Sequence, residues 1–167
     1  MRIHALALLL LLGGCLIDQP IEEDLDEGPK RNHPPTIVLR SPSASVLHLQ
    51  RSCTPSFSLP QIEDFDLGDD LEVRWFVNYD DGNVEIEDTW YLDASQADGP
   101  VRFTGNRQFK VILSKYSHPT IVVEAVVSDG FADRGEHPIN RAIARGKGQA
   151  VASWTIVISE GSWCNLL

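Results

Sequence analysis

The feature that most constrains the fold is a series of short segments rich in β-branched and aromatic residues, bounded by glycine, proline, asparagine or aspartate. In residues 71–77, Leu71, Val73 and Trp75 alternate with polar side chains, as in a strand with one buried face. Residues 121–127 are apolar at every second position, and the positions between are Val122, Glu124 and Val126. Strands are predicted over residues 36–40, 46–50, 56–62, 71–79, 84–91, 108–113, 120–128 and 150–159.

The connections between these segments favour a compact all-β fold. Residues 80–83 contain Asp-Gly, which supplies the positive φ angles that a tight hairpin turn requires. About seven to eight short strands, with no convincing helix of ten residues, predict an antiparallel sandwich. In the long connection 130–149, residues 139–145 are predicted to form one or two helical turns. Trp75 and Trp154 are expected in the core, and Trp90 and Trp163 at the surface.

The N-terminus carries a different signal. Arg2 precedes an unbroken apolar stretch over residues 5–12, and two glycines follow it, which is the pattern of a secretory signal peptide. The stretch is shorter than the ~20 apolar residues that a membrane-spanning helix needs. We therefore expect residues 1–14 to be a signal peptide that is removed on export.

The residues at the end of this leader resemble the lipobox of bacterial lipoproteins, with Leu12 three positions before Cys15 and Gly14 directly before it. The resemblance implies a diacylglyceryl thioether on Cys15 and an acyl chain such as palmitate on its freed amine. Such chains anchor a protein firmly, since each buried CH₂ contributes ~0.8 kcal/mol. Position 16 is leucine, whereas the signal for retention in the inner membrane has aspartate directly after the lipidated cysteine. We therefore expect a lipid-anchored protein of the bacterial cell envelope, at the outer membrane. The alternative is an ordinary secretory leader without lipid.

Acidic residues and prolines dominate residues 15–35, which are predicted to form the lipidated cysteine and a disordered acidic linker, because they cannot bury enough apolar surface to fold. The formal net charge is −10, and loss of Arg2 with the leader makes it −11. This balance argues against nucleic-acid binding, which requires a clustered basic face. It also argues against an electrostatic grip on a membrane, so the lipid would do the anchoring.

The chain has three cysteines. Export would place them in an oxidising compartment, where disulfides persist. If Cys15 carries lipid, Cys53 and Cys164 remain as an even pair, and we predict that they form a disulfide. The alternative is two separate buried thiols, since neither cysteine has a metal-type CxxC spacing.

Two segments resemble Ig-like, PKD-type and cadherin-like extracellular modules. Residues 62–75 join an acidic, glycine-containing turn to a tryptophan-bearing strand, and residues 123–130 form a strand that ends in Ser-Asp-Gly. The resemblance implies an Ig-like/PKD-like β-sandwich domain over residues 36–165. It implies no particular function, because this fold hosts many unrelated roles. Residues 93–107 and 130–149 are extra length, and either is a candidate for a specific activity.

The acidic turn is the sharpest chemical feature of the sequence. Calcium takes six to eight oxygen ligands, and carboxylates on a loop between strands can supply them. The alternative is a solvated turn whose carboxylates cap backbone N–H groups, and the spacing does not match an EF-hand loop. The residues of this predicted calcium site are Asp64, Asp66, Asp69, Asp70 and Asp129.

A cluster of basic residues lies within the long connection of an otherwise acidic chain. Such a cluster is a candidate contact for an anionic partner, such as a glycan, a phospholipid headgroup or an acidic protein. The alternative is a solubilising loop. The residues of this predicted partner-binding surface are Arg134, Arg141, Arg145 and Lys147.

The sequence offers little support for catalysis. Its histidines are scattered, and it contains neither a zinc-binding HExxH set nor a GxSxG nucleophile motif. We therefore expect a monomeric, non-catalytic binding or envelope-assembly lipoprotein with no cofactor other than the candidate calcium ion. Its expected partners are the membrane, through the lipid, and an envelope protein or glycan. The alternatives are a structural scaffold of an envelope complex and a calcium-stiffened adhesion-type module.

Overall fold

The computed structural model describes residues 31–79, 86–132, 141–161 and 164. The predicted signal peptide, lipobox and acidic linker up to residue 30, the turn at 80–83, Arg134 and Trp163 lie outside these residues. Within them the chain forms nine strands and two single-turn 3₁₀ helices, Ala94–Gln96 and Leu113–Lys115. The strands are β1 (Thr36–Ser41), β2 (Val46–Gln50), β3 (Ser56–Glu63), β4 (Leu71–Val77), β5 (Asp88–Leu92), β6 (Val101–Phe103), β7 (Phe109–Lys110), β8 (Thr120–Ser128) and β9 (Gln149–Ser159).

The strands form two sheets. The first has the order β1-β3-β6, with β7 also paired to β3, and the second has the order β2-β9-β8-β4-β5. Every pairing between strands is antiparallel except that of β2 with β9, which is parallel. The predicted all-β sandwich is confirmed. It has nine strands in the described part of the chain rather than seven to eight, and one edge of the second sheet is parallel.

The core lies between the sheets and is centred on Trp75. Its ring stacks on Phe109 at 4.9 Å and on Trp154 at 5.9 Å between centroids, and packs tilted against Trp90 at 4.9 Å. Such aromatic contacts stabilise by ~0.5–1.5 kcal/mol each beyond the area they bury. Trp75 and Trp154 are core residues, as predicted. The surface position expected for Trp90 is wrong, because β5 directs this side chain inward and its indole N–H donates to Asp88.

The outer face of the second sheet is also covered, which the alternating pattern does not predict. Phe76 and Val126 form a second apolar cluster with Phe131, and Ile143 packs against it from the long connection. Arg74, on the same face, is fully buried, with its Nε donating to Glu72 at 2.6 Å and its guanidinium 3.8 Å from the Phe131 ring centre.

The long connection at 130–149, which supplies Phe131 and Ile143, does not have the conformation predicted for it. Ile143 forms an isolated antiparallel bridge with Phe131, so the described part of the segment expected to form helical turns is extended at that point. Because this bridge holds the connection against the sheet, its apolar side chains can exclude water from the buried arginine.

A disulfide joins Cys53, in the connection between β2 and β3, to Cys164, beyond the end of β9. The predicted pairing is confirmed. It links positions 111 residues apart and therefore closes a loop that contains most of the sandwich.

Candidate functional site

Four of the five carboxylates of the predicted calcium site lie in one corner of the sandwich, which we call the acidic corner: Asp64, Asp66, Asp69 and Asp129. Asp64 and Asp66 begin the turn that follows β3, and Asp129 directly follows β8. The turn is held by its own bonds, since the N–H of Asp66 donates to Asp64 Oδ1 at 3.0 Å and the N–H of Asp69 donates to the Asp66 carbonyl. Residues 64–69 thus form a turn with internal hydrogen bonds between β3 and β4.

Lys147 is the cation of the acidic corner. Its Nζ lies 2.6 Å from Asp69 Oδ2 and 3.4 Å from Asp129 Oδ2. The hydrogen bond to Asp69, more than the charges of Asp69 and Asp129, raises the pKa of the Lys147 ammonium, although partial burial opposes the shift. The lysine stem crosses directly over Gly130, where an added Cβ would lie 2.6 Å from Lys147 Cγ. The glycine thus makes room for the lysine that pairs with Asp69 and Asp129.

The segment that enters the sandwich is fastened to the same corner. The backbone N–H of His33 donates to Asp66 Oδ2 at 2.6 Å, and the His33 ring nitrogen Nδ1 lies 3.3 Å from Asp66 Oδ1. Pro34 packs on Gly148, whose N–H donates to Asp129 Oδ1 at 2.8 Å. The corner therefore joins four parts of the chain: the entry at 33–34, the acidic turn, Asp129 after β8, and the end of the long connection.

Asp64 is a fully buried residue of the corner. Burial raises its pKa above the usual 3.8, and the nearby carboxylates of Asp66 and Asp129 raise it further, while the Asp66 N–H and Arg102 act in the opposite direction. Its Oδ2 is buried and accepts no hydrogen bond among the described residues. An oxygen in this situation is costly to ionise unless a cation approaches it.

Asp70, the fifth residue of the predicted calcium site, is exposed and accepts a hydrogen bond from the Ala94 N–H at 2.8 Å. It thereby connects the start of β4 to the 3₁₀ turn at Ala94–Gln96. In the parts of the chain that the structure describes, no three His, Cys, Asp or Glu side chains are arranged to hold a metal ion. Calcium binding remains a prediction.

The residues of the predicted partner-binding surface are in different environments. Arg141 pairs with Glu124 at 2.8 Å and lies over the Tyr79 ring, with its guanidinium 4.7 Å from the ring centre. Lys147 belongs to the acidic corner. Arg145 is exposed. The two sites that the sequence suggested separately, one acidic and one basic, are thus joined by an internal ion pair, and partner binding by this connection remains a prediction.

A feature that the sequence did not single out is an open cleft between β5 and β6, the edge strands of the two sheets. It has a volume of about 480 Å³. Its lining includes Tyr91, Asp93, Gln96, Phe103 and Arg107. Most of these residues belong to the 93–107 connection, whose extra length was the one available signal in the sequence.

Within the described residues, no helix has the length and apolar character needed to span a bilayer. The fold and the acidic corner define a two-sheet β-sandwich protein that is closed by one disulfide. No protein-family model, no curated protein and no solved structure matches the chain.

Proposed function

We propose that the protein is an exported lipoprotein, anchored in the outer membrane through lipid on Cys15, whose β-sandwich is a non-catalytic binding or envelope-assembly module. The observation that carries the proposal is the disulfide. It accounts for Cys53 and Cys164, and it leaves Cys15 as the third cysteine of the chain, directly after an apolar leader. A structural disulfide favours an oxidising compartment outside the cytoplasm, and a cysteine at the end of a leader is where lipid is attached.

The titratable groups of the acidic corner support a non-catalytic role. Asp66, Asp69 and Asp129 each accept from a backbone N–H or the Lys147 ammonium, so they are used to hold loops together. The negative charge of the chain favours anchoring by lipid rather than by contact with anionic headgroups. A stable sandwich with long connections suits a module that presents a surface to a partner.

Metabolic labelling with palmitate tests the anchor. The full-length chain should incorporate label and fractionate with outer membranes, and Cys15→Ser should lose both properties. Cys164→Ser is the matched control, because it removes a cysteine and leaves the leader intact, so its label should persist. Labelling that survives Cys15→Ser, or absence of label in the unaltered chain, would refute the anchor and leave a secreted module.

A calcium-stiffened module is the second candidate, and one observation favours it. The Asp64 Oδ2 atom is buried without a hydrogen-bond partner among the described residues, next to two further carboxylates. A divalent cation at this oxygen would have to share the corner with the Lys147 ammonium or displace it. Thermal unfolding with calcium and with a chelator tests this candidate: a higher Tm with calcium supports it, and identical curves reject it.

A further inference from the structure

The cleft between β5 and β6 has the composition of a ligand site. Its volume of about 480 Å³ lies within the ~300–1,000 Å³ of small-molecule sites. It is formed by a 3₁₀ turn, a three-residue strand and the turn at 104–108, which lie between the edges of the two sheets. Most of these elements lie in the extra length at 93–107, where β6 also extends the first sheet by pairing with β3.

Two aromatic rings of the cleft are directed into solvent. Tyr91 is 65% exposed and Phe103 is 72% exposed. Their neighbours Trp90, Leu92 and Arg102 are buried, because successive side chains of a strand point to opposite sides. Two exposed rings that line one cleft form an apolar surface of the kind that binds a ligand.

The polar groups around the rings are planar and exposed. Gln96 contributes an amide, Asp98 a carboxylate and Arg107 a guanidinium. Below them, the buried Arg102 donates to the carbonyls of Gly99 and Leu67 and thereby fixes the floor of the cleft. The floor is formed before any ligand arrives, which lowers the entropic cost of binding.

The backbone at the rim argues against the addition of a peptide strand. β5 is an edge strand, and an extended peptide would pair with its free carbonyl groups. The carbonyl of Tyr91 already accepts a hydrogen bond from Arg107 Nη1 at 3.1 Å. β6 has only three residues and offers a short edge. The side chains of the cleft are therefore better placed to bind a ligand than its backbone is.

We propose that this cleft binds an oligosaccharide, with sugar rings stacked on Tyr91 and on Phe103 and with hydroxyl groups bonded by Gln96, Asp98 and Arg107. A pyranose combines an apolar C–H face with a rim of hydroxyls that donate and accept, and it requires both an aromatic platform and planar polar side chains. The inference deepens the proposed function and rests on it in one respect, since an exported envelope module is surrounded by glycans.

The experiment measures binding of defined tetrasaccharides to the purified protein by saturation-transfer NMR and calorimetry. The panel contains neutral hexose, N-acetylhexosamine and uronic-acid tetrasaccharides. We expect at least one to bind, with saturation strongest on the protons of the sugar's C–H face. Tyr91→Ala and Phe103→Ala should each weaken binding about tenfold. Phe65→Ala is the matched control, because Phe65 is also 65% exposed but does not line the cleft, and its affinity should be unchanged.

Two results would overturn the inference: no binding by any tetrasaccharide, or an equal loss of affinity in Phe65→Ala. Near-UV circular dichroism of each variant checks that the fold is intact. The assay does not depend on acylation, so its outcome is separable from that of the anchor. If the protein binds sugar but takes up no palmitate, the proposal for the cleft stands and the lipid anchor is refuted. If it takes up palmitate but binds no sugar, the anchor stands and the proposal for the cleft is refuted.

Discussion

Among single residues, Lys147 most affects how the acidic turn is interpreted, because it supplies a cation from within the chain. A run of aspartates in the sequence suggests a cation from solution, whereas in the structure Lys147, 78 positions after Asp69, pairs with Asp69 and with Asp129. No local pattern could have predicted this pairing, because it depends on where the long connection returns to the sheet. The carboxylates themselves, and their convergence on Asp129, were predictable from the turn and from the Ser-Asp-Gly ending of β8.

The raised pKa of Asp64 predicts a specific dependence of stability on pH. Because burial makes the folded state hold this proton more tightly than the unfolded state does, its contribution to stability falls as pH rises from 3.8 through the raised pKa, and is constant above it. Asp64→Asn cannot ionise. The free energy of unfolding of this variant, measured by urea denaturation, should therefore increase relative to that of the unaltered protein as pH rises from 3.8 through the raised pKa of Asp64.

Asp93→Asn is the control of opposite sign. The hydroxyl and backbone N–H of Ser95 lower the pKa of Asp93. This carboxylate therefore stabilises the fold above 3.8, and its contribution is lost as pH falls through the lowered pKa. The variant should lose stability relative to the unaltered protein as pH rises. A pH-independent difference for Asp64→Asn would show that its carboxyl titrates normally in the folded chain.

For the strands, the sequence predicted the bounds well where one face of the strand is buried. It failed where segments distant in sequence determine the pairing or the burial of a residue. The bounds of β2 and β8 were predicted to the residue, and those of β3 to within one residue, because an alternating or apolar run marks a strand directly. β6 has three residues and no such run, and it was missed. The burial of Arg74 was also missed, since Phe131 covers it from another part of the chain.

The entry segment gives a prediction at this scale. A Cβ at Gly148 would lie 2.5 Å from Pro34 Cα, a backbone atom that cannot move alone, so Gly148→Ala should force the entry away from the acidic corner. We expect a loss of about 1–3 kcal/mol in the free energy of unfolding. Gly68→Ala, where the added Cβ meets nothing within 4 Å, should change stability by less than about 0.5 kcal/mol. Equal unfolding midpoints for the two variants would show that Pro34 is not packed on Gly148.

At the scale of the whole molecule, the disulfide closes a loop that contains most of the sandwich. Such a bond restrains the unfolded chain, so Cys164→Ser should lower the free energy of unfolding by about 2–5 kcal/mol. The measurement is denaturant unfolding of the detergent-solubilised protein. Cys15→Ser is the control, because it removes the cysteine that is not part of the disulfide. It should unfold at the same denaturant midpoint as the unaltered protein. Unchanged stability of Cys164→Ser would mean that the bond contributes little to the fold.

We propose that the three cysteines have two functions: Cys15 would carry lipid, whereas Cys53 and Cys164 form the disulfide that closes the fold. Intact mass spectrometry of the protein extracted from membranes, with thiol alkylation before and after reduction, tests both functions in one sample. The account predicts a chain that begins at Cys15, carries acyl chains, and gains two alkyl groups only after reduction. A chain of unmodified mass, or one that is alkylated without reduction, would contradict it.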